Sequence, residues 1–132
     1  MKCPKCQYGL KENQYKGVKI HLDASLKLLS DRVTPDYRNS IKEAISAVES
    51  LCQVVTEKEG ATLGEAIKVL EQHGFIHKAQ KSAFSSLYGF TNDSSGIRHA
   101  LLEESNLDFS DAKFMLVTCA SFVNLVIAKR GK

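Results

Sequence analysis

The chain has 132 residues, 25% charged and 43% hydrophobic, with a formal net charge of +3. That length suits one domain with a real core, and the composition excludes a disordered, collagenous or disulfide-scaffold chain. So small a net charge does not by itself imply nucleic acid, whose dedicated binders are strongly basic, and leaves room for a local RNA contact.

Residues 1–12 stand apart, holding Cys3 and Cys6 of the four cysteines and lacking helical periodicity. They read as a tail, a native start or the vestige of a tag or truncation, ahead of a domain over 13–132. The tail is polar and has no apolar signal-peptide core. Cys3 and Cys6 have the C-x2-C spacing of half a zinc knuckle. Closing such a site needs two more ligands, from His21, His73, His77 or His99, or from the same pair in a second chain. The alternative is a redox-idle tail, with zinc the one cofactor in question.

From Asn13 the pattern turns helical. Val18, Leu22, Leu26 and Leu29 recur at helical steps and predict one buried stripe. Lys11, Lys16, Lys19 and Lys27 are spread around this helix rather than gathered on one face, so no basic patch is expected. Thr34-Pro35-Asp36 predicts the next start, with Thr34 as N-cap, Pro35 in the first turn and Asp36 favourable to the helix dipole. That helix carries Tyr37, Ile41, Ala44, Ile45, Val48, Leu51, Cys52 and Val55 along one face. Arg38 and Asn39 open it and are candidate binding residues.

Thr62 and Glu65 form a capping-box signature, followed by Leu63, Ile67 and Leu70 as a buried face. Gly74 is a natural stop after His73, whose imidazole suits a helix C-terminus. Gly74 also separates His73 from His77, against a shared metal on one helix face. A fourth helix is expected from about His77 to Tyr88, with Ala83, Phe84 and Leu87 inward and Gly89 closing it. Asp108 or Ser110 then caps a last helix with Asp111 in its first turn.

The last helix is apolar over much of its circumference, through Ala112, Met115, Leu116, Cys119, Phe122, Val123 and Val126, with Phe114 and Val117 on another side. Such a helix is central or shared with a partner chain. Its apolar run, Phe114 to Ala128, is interrupted by Thr118, Ser121 and Asn124 and falls short of the ~20 residues that span a bilayer. The expectation is a cytoplasmic protein away from membranes. Cys52 and Cys119 occupy apolar helical positions, which fits a reducing compartment. No segment alternates with period two, so the fold class is all-α, a bundle of five to six helices.

Gly96-Ile97-Arg98-His99-Ala100-Leu101-Leu102-Glu103-Glu104 sets an arginine beside a histidine on a short helical segment after a polar loop. Arg98 offers a planar charged fork suited to phosphate, and His99 titrates near neutrality. Adjacent helical residues point about 100° apart, so the two do not face each other. The plainer reading pairs Arg98 with Glu103 or Glu104 at the surface.

Three segments, Asp36–Ser50, Gly96–Leu102 and Asp111–Val117, carry a resemblance. In this order they resemble the HEPN superfamily of small helical domains, closest to the C-terminal domain of AbiJ-like abortive-infection proteins of prokaryotic antiphage defence. The resemblance covers roughly Asn13 to Lys129. It implies a homodimer with the motif of each copy meeting in a cleft, and metal-independent ribonuclease chemistry in active members. Arg98 matches the motif arginine and His99 the polar residue after it. The motif's downstream histidine falls at Glu103, Glu104 or Ser105, and no histidine follows His99 in the chain.

Cleavage through the RNA 2′-hydroxyl needs a base near that group and a cation at the phosphate. Arg98 suits the second role. A solvated glutamate of pKa ~4 is a poor base unless burial raises it. The leading expectation is therefore a HEPN-like domain with a degraded nuclease motif, acting in dimerisation or in RNA or partner recognition. The alternatives are an endoribonuclease using Arg98 and His99, and a zinc-linked structural dimer through Cys3 and Cys6.

Overall fold

The computed structural model describes residues 14–92 and 107–131. Among these the fold is all-α, with helices α1 (Lys16–Ser30), α2 (Tyr37–Thr56), α3 (Leu63–Gln72), α4 (Lys78–Asn92) and α5 (Phe109–Arg130). The central helix is α2, which packs along α1, α5 and α3; α1 also touches α5, and α4 leans on α3.

The buried stripe of α1 runs through Val18, Ser25 and Leu29, with Leu22 half-buried, while Leu26 is 54% exposed. The expected step from Leu22 to Leu26 is corrected to one from Leu22 to Ser25. At 3.6 residues per turn, two successive steps of four walk off the stripe, and a step of three brings it back. The position is held by a serine because α2 supplies a partner: Ser25 Oγ donates to the Ser40 carbonyl at 2.7 Å, and Ser40 Oγ donates to the Ser25 carbonyl at 2.8 Å.

The cap of α2 is Asp36, not Thr34. Its carboxylate accepts from the Asn39 amide at 3.0 Å. Asp31 ends α1 and accepts from the amides of Val33 and Thr34, both at 2.9 Å, so the connection is closed by its own side chain. From there α2 buries Ile41, Ala44, Ala47, Leu51, Cys52 and Val55 against its three neighbours. Each fully buried aliphatic side chain contributes roughly 1.5–3 kcal/mol of transfer free energy.

The capping box of α3 forms as its spacing predicts, with Thr62 Oγ1 accepting from the Glu65 amide at 3.2 Å. His73 is the C-cap, and Gly74 follows at φ 73°, the left-handed conformation that glycine adopts without a Cβ penalty. The fourth helix runs past Gly89 to Asn92. One glycine inside a helix costs only about 1 kcal/mol and need not end it. Phe84 is half-buried and meets Phe122 edge-to-face at 4.4 Å, whereas Ala83 is exposed.

Helix α5 opens on a second capping box, Asp108 with Asp111. It buries Ala112, Met115, Leu116, Cys119, Phe122, Val123 and Val126. At 22 residues it is long and apolar enough to cross a bilayer by length and composition alone, a test that a buried core helix also passes. Its buried side chains belong to both apolar clusters of the bundle.

Candidate functional site

Arg98, His99, Glu103 and Glu104 lie outside the described residues, as do Cys3 and Cys6. Arg38 and Asn39 lie on the first turn of α2. Asn39 is exposed, and its Nδ2 donates to Asp36 Oδ2 at 2.7 Å, completing the cap. Arg38 is half-buried, with a sheltered Nε that has no hydrogen-bond partner among the described residues. Nearly all buried donors are paired, so this one stands out.

The histidines serve separate local roles. His21 Nδ1 is hydrogen-bonded to Glu43 Oε2 at 2.6 Å, tying α1 to α2. His73 stacks on Phe75, with ring centroids 5.6 Å apart. The Ala79 amide donates to His77 Nδ1 at 3.0 Å at the start of α4. Among the described residues no three His, Cys, Asp or Glu side chains gather as a metal site. Burial pushes the thiols of Cys52 and Cys119 up to about 12. Both thiols are therefore protonated at neutral pH and are packing groups rather than nucleophiles.

Two surfaces remain. The first is the outer face of α5, where Phe114 is 56% and Val117 54% exposed. Between Phe114 and Ala128 the helix has no charged residue. Adjacent large apolar side chains exposed on an uncharged helix face make a candidate contact surface.

The second is an open hollow of about 1110 Å³ at one end of the bundle, framed by the first half of α1 and the final turns of α2, α3 and α5. Leu22, Val69, Phe75 and Ile127 are half-buried along its floor, over a buried layer that includes Val18 and Val123. Among the described residues, Lys16, Lys19 and Arg130 line it with a single acid, Asp23. Arg130 Nη1 donates to Tyr15 Oη at 2.7 Å, which anchors the last turn of α5 to the start of α1. The first helix contributes Lys16, Lys19 and Asp23 to this lining. Lys16 and Lys19 are three residues apart and share a face, and Arg130, distant in sequence, joins them.

The lysine spacing was a usable signal for this hollow. Arg130 was not, because nothing local to it reveals which helix start it meets. Comparison with protein-family models, curated proteins and solved structures finds no match to this chain.

Proposed function

We propose that the chain is a dimerising helical module, a HEPN-like domain of an antiphage-defence protein. Its direct job is dimerisation or the recognition of RNA or a partner protein. The observation that carries this reading is the outer face of α5, with Phe114 and Val117 in solvent on an uncharged stretch of a helix already apolar on its inner side. A charged or polar residue at either position would satisfy a solvent-facing helix surface, and the sequence has neither. A second copy of the same face supplies the matching surface under two-fold symmetry.

Two further features support the reading. The all-α fold agrees with the class that the resemblance implies. Arg38, at the head of α2, has a donor without a partner among the described residues that suits an anionic group. Catalysis is not part of the proposal, because the motif histidine downstream of Arg98 is absent.

Light scattering on the full chain tests the reading. The expected mass is twice the 14.6 kDa of one chain, falling to one chain in Phe114→Asp with the helical circular dichroism unchanged. A wild-type chain that remains monomeric at high concentration overturns it. Incubation of the wild type with structured RNA in EDTA is expected to leave the RNA intact; loss of RNA that Arg98→Ala prevents would instead establish a ribonuclease.

A further inference from the structure

The hollow at the end of the bundle has an apolar floor, a cationic rim and no role in the self-association reading. We propose that it binds an anionic amphiphile, a single aliphatic chain ending in a carboxylate. The floor is the first argument. Leu22, Val69, Phe75 and Ile127 leave apolar surface facing an opening of about 1110 Å³. That volume slightly exceeds the usual range of small-ligand sites, which are typically apolar with a few placed polar groups.

Charge complementarity selects the sign of the ligand. Among the described residues, Lys16, Lys19 and Arg130 line the hollow with Asp23 as the one acid, and the first turn of α1 contains no acidic residue. Two lysines near the positive end of a helix dipole are an unfavourable arrangement that a bound anion offsets. Arg130 is the specific reader. One arm of its guanidinium is fixed by Tyr15 Oη, which pre-orients the planar fork for a carboxylate.

The shape selects a chain over a partner helix. The lining comes from the ends of four helices, whereas a docked helix needs a long groove with anchors at i, i+3, i+4 and i+7. A flexible aliphatic tail fits a hollow of this outline, with its head group at the Lys19 and Arg130 rim.

Calorimetric titration of the full chain with hexanoate, octanoate and decanoate, each below its micelle concentration, tests the proposal. One site is expected, with affinity rising about fourfold for each methylene that the floor buries. Octanol is expected to bind about tenfold more weakly than octanoate, because it forgoes the charge-assisted contacts. Lys19→Gln and Arg130→Gln should each weaken octanoate several-fold while leaving octanol and the chain-length increment unchanged. Lys19 is exposed, so its variant folds and keeps the test decisive. Absence of saturable decanoate binding overturns the proposal. So does equal affinity for octanol and octanoate, or binding that both substitutions leave untouched.

Discussion

Ser25 and Ser40 are the buried polar residues of the described core, and they satisfy each other's backbone carbonyls across the α1–α2 seam. Removing one hydroxyl leaves its partner with fewer bonds in a fully buried site. Ser25→Ala is expected to lower stability by about 1–3 kcal/mol in urea unfolding, with the Ser25→Ala/Ser40→Ala double variant losing less than the sum. An additive double variant would show that the two hydroxyls act separately. Charges at the caps act at the same scale. The Asn39 side chain and amide hold the Asp36 carboxyl below its ordinary value, and the Thr34 and Val33 amides do so for Asp31. Lys58 and the Thr62 amide do the same for Glu65. Each of these groups is ionised more readily in the folded state, so its contribution is complete above the unfolded values of about 4. That contribution fades as pH falls through the lower folded values. Stability from this source should be flat from pH 7 to about pH 5 and decline below pH 4, and Asp36→Asn should flatten part of that decline.

At the scale of elements, Glu57 sits at the C-cap of α2 with φ 56°, the left-handed conformation that carries a Cβ penalty of roughly 1–2 kcal/mol. Glu57→Gly is expected to raise stability by about 0.5–1 kcal/mol in thermal or urea unfolding, after the entropy of the glycine is deducted; a loss of stability would mean that Glu57 makes contacts that outweigh the strain. This cap was not legible in the sequence, because a glutamate gives no sign of a positive φ. The capping box of α3 was legible, since Thr62 with Glu65 carries its geometry in its spacing; for α5 the sequence leaves Asp108 and Ser110 both open as the cap, and the structure has Asp108, boxed with Asp111. The cap of α2 was misplaced by two residues. Thr34, Pro35 and Asp36 are all good helix-start residues, and only the Asp31 turn, which consumes the Thr34 amide, decides among them. Leu26 was assigned to the core for a related reason. A leucine at a plausible step outranks a serine on hydrophobicity, and the hydroxyl exchange with Ser40 that reverses the choice is a tertiary fact.

At the scale of the whole molecule, the helical bundle and the doubly apolar character of its last helix could be read from periodicity. The hollow could not, because its cationic rim is assembled from opposite ends of the described chain. The candidate residues Arg98, His99, Cys3 and Cys6 fall outside the described residues, and the two surfaces inside them direct attention to α5 and the bundle's end. The central claim is that the outer face of α5 joins two copies of the chain about a two-fold axis. Its most direct test places a cysteine at Val117 in a Cys3→Ser/Cys6→Ser background, where Cys52 and Cys119 stay buried, and treats the protein with a short bis-maleimide linker. The account predicts a covalent dimer with Val117→Cys and none with a cysteine at the exposed Lys68 of α3. A monomer throughout, or equal linkage from both positions, would contradict it.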